Sequence, residues 1–179
     1  MNIALIGMRG AGKSKISRRL SVHTKRDILS SDLLIQYDND GKSIPEIIAD
    51  HNGDWRWFRD MEYHTLKKIT ALDDTLIDCG GGIVVDVDED GHEVFSQRKV
   101  DLLRANGRIV WLKGDIPRLA AKVKGDATRP TLSQTKSTEE VMYRRLPFYE
   151  QAADIIIDIE GKSKKKLVEE VLQEIDKYL

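Results

Sequence analysis

The run Gly7-Met8-Arg9-Gly10-Ala11-Gly12-Lys13-Ser14 reads G-x-x-x-x-G-K-S, directly after an apolar strand and directly before a helical pattern. That spacing suits the binding of a nucleotide's phosphates. Glycines let successive backbone N–H groups curl around an anion, and the start of the following helix adds the positive end of its dipole. Lys13 would reach the β and γ phosphates, and the Ser14 hydroxyl is a ligand for Mg²⁺. Chance produces such a match in about six of a thousand chains of this length. Nucleotide contacts are expected from Gly10, Ala11, Gly12, Lys13, Ser14 and Lys15.

Phosphate binding alone does not name the group that receives a phosphate. Five further stretches do so by resemblance: Ser31-Asp32, Phe58-Arg59-Asp60-Met61-Glu62, Gly80-Gly81-Gly82, Arg129-Pro130 and Arg145-Leu146-Pro147-Phe148-Tyr149. In this order, and over nearly the whole chain, the set resembles the shikimate kinases. The resemblance implies a P-loop kinase fold of the nucleoside-monophosphate kinase type. It also implies transfer of the ATP γ-phosphate to the 3-hydroxyl of shikimate with Mg²⁺, and an arginine, here Arg129, on a lid over the phosphates.

The residue chemistry agrees with that acceptor. Arg59 and Arg145 suit a carboxylate, because a guanidinium fork matches it bidentately. Asp32 suits hydroxyls and can orient or deprotonate the attacking oxygen. Gly80, Gly81 and Gly82 allow close approach and offer N–H groups. Glu62, one turn after Arg59, is placed to hold that arginine. Taken singly, Asp32 could be a helix cap, Gly80–Gly82 a flexible turn, and Arg59 or Arg129 an ordinary solvated arginine. Catalysis is expected from Lys13, Asp32 and Arg129, and acceptor binding from Asp32, Arg59, Gly80–Gly82 and Arg145.

The chain departs from the family pattern in three places. Ser30 stands where the resemblance implies the first acid of a D-x-D pair that organises Mg²⁺ through water. Asp78 stands where the family commonly carries a small hydroxyl residue, so Ser14 and Asp78 are the expected metal residues. Lys122 aligns with the arginine that commonly stacks on adenine, and lysine has no flat face. Separately, Asp86-Val87-Asp88-Glu89-Asp90-Gly91 opens like a calcium loop, but its twelfth position would be Gln97 rather than Glu, and no helix precedes it. A solvated loop is expected there.

These residues need a scaffold that gathers them at one edge. Short, mostly continuous apolar runs at Ile3–Ile6, Asp27–Leu29, Thr75–Cys79, Arg108–Leu112 and Asp154–Ile159 alternate with helical patterns. Continuous runs are what parallel strands covered on both faces require. The expected fold is α/β, three layers around a central five-stranded parallel sheet, in one kinase domain spanning 1–179. Ser43-Ile44-Pro45-Glu46 and Ser137-Thr138-Glu139-Glu140 read as capping boxes. The second of these helices is expected to break at Pro147, and Ser96–Asn106 to stop at Gly107. The polar stretch 123–137 is expected to act as a mobile lid.

The chain has 179 residues, with 29 Lys plus Arg against 30 Asp plus Glu, so bulk charge does not suit a nucleic-acid partner. Cys79 is the only cysteine, which excludes an intrachain disulfide and a cysteine zinc cage. The four histidines lack metal-ligand spacing. No apolar run nears the roughly 20 residues needed to span a bilayer. A cytoplasmic monomer that binds ATP and a small acceptor is expected, with no nucleic acid or membrane partner. Two other readings stay open: a kinase of another small polyol such as gluconate or a nucleoside, and a nucleotide-binding regulatory module without transfer activity.

Overall fold

The computed structural model describes residues 1–124 and 137–178. The chain runs β1 (Asn2–Ile6), α1 (Lys13–Thr24), β2 (Ile28–Ser30), α2 (Ser31–Asp38), α3 (Ile44–Asp50), α4 (Trp55–Thr70) and β3 (Leu76–Asp78). A hairpin follows, β4 (Val85–Val87) and β5 (Glu93–Phe95), then α5 (Gln97–Ala105), β6 (Gly107–Lys113) and α6 (Ile116–Val123). The last elements are α7 (Thr138–Ala152), β7 (Ile155–Asp158) and α8 (Lys164–Ile175).

Five of these strands form one parallel sheet in the order β2-β3-β1-β6-β7. Ile3, Ala4, Leu5 and Ile6 of the central strand are all buried, so helices cover both faces and the α/β expectation holds. Ligands gather at the carboxyl edge of such a sheet where the strand order reverses. Here that edge carries the glycine loop after β1 and the Gly80–Gly82 turn after β3. Ile35, Ile47, Ile48 and Phe58 form a small second core that joins α2, α3 and α4 beside this edge.

Several local expectations change. The acidic stretch 86–91 is not a simple loop: Asp86 and Val87 belong to β4, which pairs antiparallel with β5. At the tip, Asp88 accepts from the N–H groups of Asp90 and His92, so its carboxylate closes the turn. Helix α5 stops ahead of Gly107 as expected, with Asn106 as its C-cap, but the glycine is not left-handed. It opens β6 opposite Asn2, where a Cβ would lie 2.8 Å from the Leu103 carbonyl oxygen and 2.9 Å from that of Asn2. Helix α7 continues through Pro147. That proline is on the exposed side of the helix, so water can satisfy the carbonyl it leaves unpaired. Both capping boxes form as read. Helices α2 and α6 were not anticipated. Among the described residues no helix is long and apolar enough to cross a membrane.

Candidate active site

The glycine loop turns sharply between β1 and α1. Gly10 and Gly12 adopt left-handed φ values of 82° and 91°, which other residues reach only with strain. Gly12 caps α1, so the helix dipole points into the loop. Lys13 opens the helix and folds back, its Nζ donating to the Gly7 carbonyl at 2.7 Å. Gly10, Gly12, Lys13, Ser14 and Lys15 line a cavity of about 650 Å³. Ala11 does not: it is buried beneath the loop, and its N–H donates to the Met8 carbonyl. Arg129 and most of the 123–137 stretch lie outside the described residues.

The same cavity is lined by Asp32, Arg59, Asp78, the Gly80–Gly82 turn and Arg145. Ser30 caps α2 by accepting from the Leu33 N–H, so Asp32 is a residue of the first helical turn and not the cap. Ser31 Oγ accepts from the Gly80 N–H at 2.9 Å, which ties α2 to the turn. The Gly80 N–H is therefore engaged inside the protein, contrary to the donor role expected of it. What the glycines supply is room. A Cβ on Gly80 would lie 2.3 Å from Asp32 Oδ1, and one on Gly82 would lie 2.4 Å from Arg59 Nη1. The Tyr149 hydroxyl donates to the Gly81 carbonyl at 2.6 Å and fixes the middle of the turn.

Arg59 is only 3% exposed. Its Nη1 donates to both Glu62 oxygens at 2.9 Å, and its guanidinium lies 5.1 Å from the Trp55 ring centroid. Arg59 Nε is buried without a partner among the described residues. Such an atom is costly unless a ligand accepts from it. Behind Glu62 stands Lys99, fully buried, with Nζ 2.7 Å from Glu62 Oε2 and 2.6 Å from the Val85 carbonyl. Burial pulls the Lys99 ammonium below its usual range, while Glu62 and Asp86 oppose this. Arg145 comes from α7 and is 4% exposed. Its Nε and Nη2 both donate to the carboxylate of Glu93, which Arg144 also contacts. Burial works against the Glu93 charge, but the two guanidiniums outweigh it and hold the carboxyl down at about 2.

Asp78 ends β3 at 8% exposure, and no hydrogen bond or ion pair reaches its carboxylate among the described residues. It is the register partner of Ser30 on β2 and of Leu5 on β1. Thus the acid absent at Ser30 stands one strand over, at the same level of the sheet. Lys122 reaches the loop rather than lying flat in the cavity, donating from Nζ to the Gly10 carbonyl at 2.7 Å. The Cys79 thiol is buried and pushed far above its usual range by desolvation, so it packs and does not act as a nucleophile.

Three comparisons with known proteins bear on this arrangement. A family model described as shikimate kinase matches residues 9–176. The chain belongs to the shikimate kinase family. A shikimate kinase of Leptospira biflexa serovar Patoc is 45% identical over 172 residues, covering 96% of this chain and 94% of that protein. One from Leptospira borgpetersenii serovar Hardjo-bovis is 40% identical, covering 98% of each. Among solved structures, the shikimate kinase of Acinetobacter baumannii in complex with shikimate superposes with a TM-score of 0.82 at 26% identity. That match covers 99% of this chain and 93% of the other. Membership in this family makes the chain an ATP-dependent kinase acting on an alcohol group.

Sequence reasoning missed Lys99 and Glu93, and it gave no role to Ser31 and Tyr149 within the quoted stretches. One signal for Lys99 was present. Glu62 is an acid on the buried face of α4, alongside Phe58, Leu66 and Ile69, and an acid so placed calls for buried cations around it.

Proposed function

We propose that this chain transfers the γ-phosphoryl group of ATP to the 3-hydroxyl of shikimate. The observation that carries the reading is one cavity holding both the Lys13 loop and two buried arginines, one with an Nε that has no partner among the described residues. Arg59 and Arg145 take the carboxylate. Asp32 faces the ring hydroxyls, against Gly80. The 3-hydroxyl oxygen attacks the γ-phosphorus as its proton passes to Asp32, and the bond to the β–γ bridging oxygen breaks to leave ADP. Lys13 and the loop amides stabilise charge on the transferring group. Arg129 is assigned to the same phosphates. A coupled ADP-release assay with shikimate, gluconate and nucleosides tests the acceptor. Shikimate-dependent release well above the others is expected, and equal background rates for all would end the reading. The chain is proposed to work as a single cytoplasmic domain and a monomer.

The residues present fit a magnesium ion. Asp78 is a nearly buried carboxylate without a partner among the described residues, on the cavity that Ser14 also lines. Mg²⁺ favours one or two acids near the phosphates and keeps several waters. Ser14 and Asp78 would hold it, and when bound it would neutralise charge on the β and γ phosphates. Asp78→Asn should raise the Mg²⁺ concentration for half-maximal activity about tenfold and leave the shikimate KM nearly unchanged. Adding Ser30→Asp should restore part of the loss, because the two positions are register partners. An Mg²⁺ titration unchanged in Asp78→Asn would contradict the metal assignment.

Gly82→Ala tests the packing of the carboxylate site. The new methyl group would push on the Arg59 guanidinium, which is pinned to Glu62 and has little room to retreat. The expected result is a shikimate KM raised about tenfold or more, since misplacing a positioning group by about 1 Å is costly. The KM for ATP should hardly move. Steady-state kinetics with each substrate varied in turn read both.

A further inference from the structure

We infer that the β4–β5 hairpin positions the acceptor site, with Glu93 holding Arg145 in the geometry that receives the substrate carboxylate. The inference rests on the proposed acceptor reading and adds a residue that does not touch the substrate. Glu93 sits on β5 opposite Val87. Its carboxylate takes the Nε and Nη2 side of Arg145. Among the described residues nothing is bonded to Arg145 Nη1, and the side chain lines the cavity. A guanidinium has five N–H donors, so pairing on its side edge leaves the end edge for a second carboxylate.

Charge does not oppose this use. Arg144 also donates to Glu93, through Nε at 3.2 Å and Nη2 at 2.7 Å. Two guanidiniums share one carboxylate, so the cluster keeps a net positive charge toward an incoming anion. The other strand of the hairpin reaches the second arginine. Asp86 on β4 accepts from Arg98 and lies 3.7 Å from Lys99 Nζ, Lys99 pairs with Glu62, and Glu62 holds Arg59. One hairpin thereby braces both arginines from behind. An arginine with free rotamers would lose entropy on binding, and a braced one loses less.

Glu93→Gln keeps the size of the side chain and removes its charge. The expected result is a shikimate KM raised about tenfold with kcat within about twofold, because a charge-assisted hydrogen bond is worth roughly one such factor. The ATP KM should not change. Glu93→Asp, which keeps the charge but withdraws the carboxylate by one methylene, should also raise the shikimate KM, and it serves if the glutamine variant does not fold. On an Arg145→Met background, Glu93→Gln should add nothing further. An unchanged shikimate KM in both Glu93 variants would overturn the inference. A lowered one would also overturn it, by showing that Glu93 competes with substrate for Arg145. An equal increase on the Arg145→Met background would show that Glu93 acts elsewhere. If Arg145→Met alone leaves the shikimate KM unchanged, the acceptor reading itself fails, and the two failures are told apart by that single variant.

Discussion

Lys13→Met should abolish phosphoryl transfer, lowering kcat/KM by roughly 10³-fold or more while the fold survives. Lys13 opens α1 on the cavity, and its ammonium hydrogen-bonds the Gly7 carbonyl. A bound nucleotide replaces that carbonyl with phosphate oxygens, whose negative charge makes the bond stronger. As the γ-phosphoryl group moves, charge redistributes over its oxygens, and a fixed cation in a site shielded from water lowers the barrier. Methionine keeps an unbranched apolar stem of similar length and cannot donate. The loss of the bond to Gly7 should cost about 1 kcal/mol of stability, too little to unfold the chain. Circular dichroism alongside initial rates separates the two effects. Turnover near that of the parent chain would mean that the loop does not work on phosphate.

Asp32→Asn should lower kcat by roughly 10²- to 10⁴-fold, the range expected when a general base is lost. The substitution keeps the volume of a side chain that rests against Gly80, where added bulk would collide. An amide can still orient a hydroxyl, so the shikimate KM should change much less than kcat. Rapid-quench measurement of a single turnover reads the chemical step without product release. A kcat that falls less than about threefold would leave Asp32 as a binding residue only, and the proton would have to leave by another route.

Most of the scaffold was legible because its logic is local. Ile3–Ile6 and Arg108–Leu112 are continuous apolar runs, as strands covered on both faces must be. The glycine loop is legible because its φ requirement falls on particular residues, Gly10 and Gly12. The pairing of Arg59 with Glu62 is also local, since the two are three apart on one helix. What could not be read depends on partners distant in the chain. Glu93 meets Arg145 across 52 residues, and Lys99 meets Glu62 across 37. In isolation each looks like a solvated charge. The β4–β5 hairpin was hidden for the same reason: Asp86 looks like loop chemistry until Arg98 and Lys99 neutralise it. The Gly80–Gly82 turn was identified as part of the site for close approach and N–H donors, but its Gly80 N–H is taken by Ser31. Its glycines make room for Asp32 and Arg59, which only the folded arrangement reveals.

What defines the activity is the bond that forms. Incubating the chain with ATP, Mg²⁺ and shikimate, then recording ³¹P–¹H correlation spectra of the product, reads it directly. The predicted result is one phosphomonoester whose phosphorus couples to the proton on C3 of the ring, formed in step with ADP. No shikimate phosphoester, or phosphorus coupled to the C4 or C5 proton instead, would rule out transfer to the 3-hydroxyl.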